Sequence, residues 1–421
     1  MKSQCSPPST KLSEPQHIRK VLLLQGPAGP FFKNLQYAFD AEGFAVKRVL
    51  FHRADQLFAP RDNTYRFSGD GIAWEKWLHT EFTDNRPDIV VLFGSSRPIH
   101  ITARKVADEF NVTVISLEEG YLRAGYITCE TGGNNQYSPL HHWTATSSVT
   151  LPYTPLAIPS SFFIMCCWQG IYYLWRSLTE SNIEKTLYHR KIDCIFKEMG
   201  LWMRHACRRL FAKFANRKDI RKLETEYAKN YLLIPLQTPS DAQVQTAARG
   251  WTNEKLVKQA LLSLRETIIN EPTNKLILVF KTHPLDQTSH TLVSFIKKEA
   301  QAMELSDRVI VLESGKMGTL TQHAGGMVVI NSTSAFSALH HQVPLLVLGE
   351  AIFRRASIAT IGDNAESITR FVSHRTLKKS ADIEAFINAV KAHALLPGDF
   401  YANKTQRVTA QHVVDKAKAQ L

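Results

Sequence analysis

Several residues of chemically capable types fall where a short apolar run gives way to a helical pattern. Lys281 and His283 stand in Phe280-Lys-Thr-His-Pro-Leu-Asp286, at the end of one such run. Both can neutralise a phosphate, and His283 could also pass a proton. Pro284 fixes the turn that follows. Ser332, Thr333 and Ser334, in Asn331-Ser-Thr-Ser-Ala335, precede a predicted helix, where hydroxyls and free amides form an anion cradle. Together the two segments predict a phosphate site.

Carboxylates occupy comparable positions. Leu117-Glu-Glu-Gly-Tyr-Leu-Arg123 places Glu118 and Glu119 at a strand terminus, with Arg123 close behind. Neighbouring strand side chains point to opposite faces, so only one of the two glutamates is expected to face a cleft. Glu130 and the polar stretch Gly132-Gly-Asn-Asn135 follow in what reads as one long loop. Asp241, in Pro235-Leu-Gln-Thr-Pro-Ser-Asp241, leaves another strand as a catalytic carboxylate or as a helix N-cap. The loop Gln25–Phe32 holds Gly26 and Gly29, which would let backbone amides approach a ligand or simply make a tight turn. It lacks the GxGxxG fingerprint and the Walker lysine. Arg97 and His100, in Phe93-Gly-Ser-Ser-Arg-Pro-Ile-His100, sit at the next strand end. Arg97 could fork onto a phosphate or carboxylate, or merely cap its loop.

Positioning these groups requires strands and helices in alternation. Apolar runs at 18–25, 46–51, 88–94 and 112–118 alternate with helical spacing at 31–42, 72–83 and 99–110. A second series has strand candidates at 231–237, 275–281, 308–313, 326–331 and 344–349, separated by helices, with a helical tail from Ala381. Each series predicts a parallel sheet covered on both faces, and the pair predicts a cleft at the carboxyl ends of the strands. At 421 residues, with 44% hydrophobic and 21% charged residues, the chain is globular and long enough for two domains. Its six cysteines form no CxxC pair and no zinc-spaced cluster, so neither a metal nor a redox site is expected. Adjacent Cys166 and Cys167 read as small core hydrophobes.

The middle of the chain differs. Residues 151–175 contain no Asp, Glu, Lys or Arg, and prolines at 152, 155 and 159 leave Phe162–Trp175 as an apolar helix. At 1.5 Å per residue it would span about 21 Å, short of the ~30 Å hydrocarbon core. Residues 176–222 then carry thirteen Lys and Arg against five Asp and Glu, net +8 of the chain's +13. This fits an interfacial membrane element, and equally an inter-domain helical insertion with a solvated basic face. The domains expected are a tail at 1–17, a Rossmann-like domain at 18–150, a basic aromatic-rich helical insertion at 151–230, and a second Rossmann-like domain at 231–421.

Six segments, in order, carry a family resemblance: LLLQGPAGPFF, VVLFGSSRPIH, EEGYLR with ITCE–GG, IPLQTPSDAQV, VFKTHPLD and INSTSAFSALHHQVPLLVLG. They resemble the capsular polysaccharide synthesis family, in its KpsS-like branch of β-Kdo transferases. The resemblance implies an α/β, GT-B-like fold: two Rossmann-like parallel-sheet domains with a basic helical insertion between them. It implies CMP-Kdo as donor substrate without a metal or other cofactor, a phosphatidylglycerol-type lipid acceptor, and retention. Lys281, His283, Pro284, Ser332, Thr333 and Ser334 would hold the CMP moiety. Asp241 would be the nucleophile, and Glu118 or Glu119 the acid/base or the group orienting the donor. Gly26, Gly29, Arg97, His100, Arg123 and Glu130 would serve the acceptor or a phosphate. KTHPLD lacks the second histidine and the basic residue expected beside the His-Pro pair, and the GGNNQYS loop departs from the usual glycine-asparagine run.

The expected partners are the CMP-sugar, an anionic phospholipid surface and other capsule synthesis or export proteins. The expected place is peripheral, on the cytoplasmic face of a bacterial inner membrane. Two other readings share these features: a CMP-sialic-acid-type transferase, and a non-catalytic export or scaffold protein. Nucleic-acid binding rests on net charge alone, without an RNP, KH or zinc-finger pattern, and is not expected.

Overall fold

The computed structural model describes residues 18–122, 125–144, 155, 161–181, 184–187, 195–238 and 247–421. Val, Ile, Leu and Phe fill both faces of the strands, as a sheet covered by helices on two sides requires. The first sheet contains β1 (Lys20–Leu23), β2 (Ala45–Leu50), β3 (Thr64–Arg66), β4 (Ile89–Phe93), β5 (Thr113–Glu119) and β6 (Tyr126–Thr131). The first five are parallel to one another. β6 instead runs antiparallel to β5, so Glu130 lies within a strand and not in the loop expected around it. The helix Phe31–Ala41 buries Phe31, Leu35 and Phe39 against the sheet, a spacing that stacks them on one face.

The second sheet contains β7 (Tyr231–Pro235), β8 (Ile277–Lys281), β9 (Val309–Leu312), β10 (Gly326–Val329), β11 (Leu345–Val347) and β12 (Thr360–Ile361). Its order is β12-β11-β10-β7-β8-β9, with every pair parallel. β1–β5 and the whole of the second sheet are parallel, the pair of α/β sheets expected from the sequence.

The end of the chain departs from expectation. It is not helical throughout: after the helix Ser380–His393 comes β13 (Leu395–Pro397), antiparallel to β6. The first sheet therefore has the order β13-β6-β5-β4-β1-β2-β3. The final helix, Asn403–Lys418, lies against Phe31–Ala41, with the Asn34 amide donating to Gln406 at 2.7 Å. Phe400 seals the joint, its ring 4.8 Å from that of Phe31 and 5.2 Å from that of Phe93. Residues from Leu395 onward thus belong with the first sheet, not with the second domain expected over 231–421. The physical reason is an open sheet edge and an apolar helix face in the first half, both of which need cover.

The insertion bridges both halves. The helix Phe162–Thr179 turns Met165, Trp168 and Tyr172 toward the first half. Trp168 meets Phe58 at 5.5 Å, and the Tyr172 hydroxyl donates to Asp55 at 3.0 Å. That choice of face leaves Cys166 and Cys167 exposed rather than in the core. The helices Ile195–Ala215 and Arg217–Glu224 dock on the second half. Arg208 forks onto Glu313 at 2.6 and 2.9 Å, and Asn216 accepts from the Glu313 amide at 3.0 Å. No helix among the described residues is long and apolar enough to cross a membrane.

Phe400 reports on the joint between the two ends of the chain. Phe400→Ala is expected to cost about 3–5 kcal/mol, the usual range for a buried Phe truncation. A lowered urea midpoint would show it; an unchanged midpoint would mean that the crossing segment does not hold the first sheet.

Candidate active site

The carboxyl ends of the two sheets meet at a polar cleft of about 180 Å³. One wall is the end of β5, where both Glu118 and Glu119 border the cleft. Sequence alternation allowed only one of them, but the strand stops at Glu119, and that side chain sits between this cleft and a smaller chamber beside it. The Asn135 amide reaches Glu118 at 3.5 Å. Glu119 accepts from the Tyr401 hydroxyl at 2.9 Å, so a residue of the C-terminal segment holds it. Burial, and then the charge of Glu119, raise the Tyr401 pKa well above its ordinary value, which keeps the phenol a donor.

The facing wall carries His283, Ser332 and Thr333. The His283 Nδ1 accepts from the Leu285 amide at 3.2 Å, which fixes the proton of the neutral ring on Nε2. Ser332 donates to the Ser334 hydroxyl at 3.0 Å and accepts from the Ser334 amide. The helix that follows, Ala335–His340, has only six residues, so the hydroxyls rather than a macrodipole must carry any anion recognition. Gln237, just past β7, donates to Asn331 at 2.7 Å and so ties two strand ends together. Its Oε1 is buried without a partner among the described residues, an acceptor on the cleft wall that calls for a donor.

Behind the glutamates lies a buried network. Glu130 accepts from the Tyr121 hydroxyl at 2.8 Å and from the Ser138 hydroxyl. Tyr121 in turn accepts from the Asn135 amide at 2.7 Å. Glu130 therefore positions the residue that reaches Glu118 and is not itself on the cleft wall. Tyr121 is, and its ring packs 5.8 Å from that of Phe336, in the helix after the Ser-Thr-Ser turn.

The adjoining chamber, of about 110 Å³, holds Gly26 and Arg97. Arg97 donates to the Gln25 side chain at 2.8 Å, and its guanidinium lies 5.2 Å over the ring of Phe93. The remaining expected residues lie elsewhere. Lys281 is buried at the end of β8, with its ammonium donating to the Thr282 carbonyl at 3.2 Å. Burial, and then Arg209 nearby, push its pKa down to about 8. Strand alternation ends there, so Lys281 and His283 are not on the same wall. The Pro284 carbonyl accepts from His205 at 2.9 Å, and the residue lines a separate groove. His100 is buried, with Nδ1 2.8 Å from the Gly94 carbonyl, and Gly29, at φ +123°, backs onto Trp168 as a turn. Asp241 and Arg123 lie outside the described residues.

Sequence reasoning missed Tyr401, Gln237, Asn135 and Tyr121. Gln237 and Tyr121 lay in segments already singled out, PLQTPSD and EEGYLR, and Asn135 in the GGNNQYS loop. Nothing in the sequence pointed to Tyr401, since only the crossing of the C-terminal segment brings it to β5.

The model of the family described as capsule polysaccharide biosynthesis protein matches residues 88–401. The chain belongs to that family. The matched span includes both glutamates, the His-Pro turn, the Ser-Thr-Ser turn and Tyr401. Among curated capsule proteins, the capsule polysaccharide export protein KpsS of Escherichia coli is 28% identical over 80% of this chain and 86% of its own. The capsule polysaccharide modification protein LipB of Neisseria meningitidis serogroup B is 28% identical over 86% of each chain. Among solved structures, the β-Kdo 2,7 transferase of Thermosulfurimonas dismutans KpsC aligns over 95% of this chain and 100% of that one, at 14% identity and a TM-score of 0.41.

In this capsule-family chain, Glu130 should leave a signature in stability. Burial raises its pKa from the ordinary 4.5 to about 7, against the opposing pull of Ser138, Tyr121 and Lys416. The folded state therefore keeps a proton that the unfolded chain has released. This contribution is largest below pH ~4.5 and is lost as pH rises to ~7, by at most about 3 kcal/mol. Glu130→Gln should flatten that part of the profile, measured as urea midpoints from pH 4.5 to 7.5. Parallel profiles for both proteins would contradict the assignment.

Proposed function

We propose that the protein transfers Kdo from CMP-Kdo to a phosphatidylglycerol-type lipid, with retention, and so starts the linker of a capsular polysaccharide. The observation that carries this reading is the cleft itself, with Glu118 and Glu119 on one wall and His283, Ser332 and Thr333 on the other. No Lys or Arg stands on its described wall, and Glu350 there is paired with Arg249 at 2.5 Å. A donor with a single phosphate meets less repulsion in such a site than a nucleoside-diphosphate sugar would. That favours a CMP-sugar.

In this mechanism His283 and the Ser332 and Thr333 hydroxyls receive the CMP phosphate. Asp241, six residues past the end of β7 in the sequence, attacks the anomeric carbon as CMP departs with the bonding electrons, giving a glycosyl–enzyme ester. The lipid hydroxyl then attacks the same carbon, a glutamate takes its proton, and the Asp241 carboxylate is released. Two inversions leave the configuration retained. Glu119, held by Tyr401, is the proposed base, and Glu118 the group that orients the donor.

The insertion supports peripheral attachment to the inner face of the membrane. It combines the net +8 of residues 176–222 with exposed Phe163, Phe211 and Phe214. Other capsule synthesis and export proteins are the proposed neighbours there.

The test is a transfer assay with CMP-Kdo and phosphatidylglycerol. Asp241→Ala should abolish turnover and Glu119→Gln should lower kcat by about 10²–10⁴, the usual weight of a general base. Tyr401→Phe should lower kcat roughly tenfold, the equivalent of one hydrogen bond. Folded protein that makes no product, or that makes it only from CMP-sialic acid, would overturn the proposal.

A further inference from the structure

Past the turn that carries His283, the insertion and the second half enclose an apolar groove of about 750 Å³. That size is within the roughly 300–1,000 Å³ typical of small-ligand sites. Phe162, Trp202, Leu210, Ile220, Leu285 and Leu320 form its walls. Pro284, on this groove, is the immediate neighbour of His283 on the polar cleft. The charged residues on the groove are Arg209, Lys213, Arg217 and Lys316, with Glu224 as the one acid among those described.

A second observation points the same way. His205, also on the groove, is 6% exposed. Its Nε2 contacts the Pro284 carbonyl, an acceptor, so in the neutral ring that nitrogen carries the proton and Nδ1 is an acceptor. Nδ1 is buried with no partner among the described residues, and a ligand hydroxyl would satisfy it. The apolar wall, the cationic rim and a buried acceptor beside the His-Pro turn describe one kind of occupant: a chain with an anionic, hydroxylated head.

We infer that this groove seats an acyl chain of an anionic glycerophospholipid drawn from the membrane. Its phosphate lies toward Arg209, Lys213, Arg217 and Lys316, and its head group passes Pro284 toward His283. The assignment rests on the lipid-acceptor reading above and adds where the acceptor sits. Phe211 and Phe214, on the same helix as Trp202 and Leu210, are also exposed, so this helix offers apolar side chains to a membrane as well as to the groove.

Trp202 provides the readout. A lysophosphatidylglycerol brominated on its acyl chain, added as monomers to the full-length protein, is expected to quench tryptophan fluorescence. The quenching should largely disappear in Trp202→Phe. The lysophosphatidylcholine of the same chain should bind at least tenfold more weakly, as should the lysophosphatidylglycerol to a Lys213→Glu, Arg217→Glu double variant. Ala206→Trp, which fills the groove, should raise the acceptor KM at least tenfold, with no rise in the donor KM. Equal quenching in Trp202→Phe, or equal affinity for the two lipids, would overturn the assignment. Quenching without any transfer would support the groove and overturn the transfer reading; transfer without quenching, and with Ala206→Trp unaffected, would do the reverse.

Discussion

Two sheets can share one site only if something fixes their carboxyl ends relative to each other. Arg355, from the second half, donates to the main-chain carbonyls of Leu140 and Trp143 in the first. Its guanidinium also lies 5.6 Å over the ring of Trp143. Tyr121 packs on Phe336, and Leu140 joins the same apolar cluster. Half-buried charge-assisted hydrogen bonds and aromatic contact set the distance between the glutamates and the Ser-Thr-Ser turn. Every chemical role assigned to the cleft depends on that distance.

The same contacts couple the walls of the cleft to the layers behind them. Tyr121 touches Phe336 on one side and Glu130 on the other, and through Asn135 it bears on Glu118. Glu119 depends on Tyr401, which is in place only because β13 pairs with β6 and Phe400 locks between Phe31 and Phe93. A carboxylate presented by a strand end is thus held from two directions, by an antiparallel neighbour and by the returning C-terminal segment. The insertion adds a third link, since its first helix rests on the first half and its later helices on the second.

Most of the fold was legible because buried parallel strands are written as short runs of Val, Ile, Leu and Phe, and eleven-residue helices such as Phe31–Ala41 show their apolar stripe. What escaped were segments whose identity comes from their partners. Tyr126–Thr131 alternates polar residues and reads as loop, and it is a strand because β5 and β13 flank it. Leu395–Pro397 is three residues long and gains its place from the edge it covers. The site was legible at His283, Ser332, Thr333, Glu118 and Glu119, where a strand end meets a turn. It was not legible at Lys281, whose charge suggested phosphate but whose backbone had not yet left the buried sheet. Nor could the sequence show that Glu130 would be neutral-leaning and buried, since its partners Tyr121 and Ser138 lie on opposite sides of it in the chain. The basic surplus also proves to be local: the cleft wall is acidic among its described residues, and the cations gather on the insertion.

All the proposed chemistry requires that the donor bind in the cleft between the two sheets. A crystal structure of the protein with CMP tests it most directly. The phosphate is expected within hydrogen-bond distance of His283 and of the Ser332 or Thr333 hydroxyl. CMP bound instead in the Gly26–Arg97 chamber, or on the basic insertion, would contradict it.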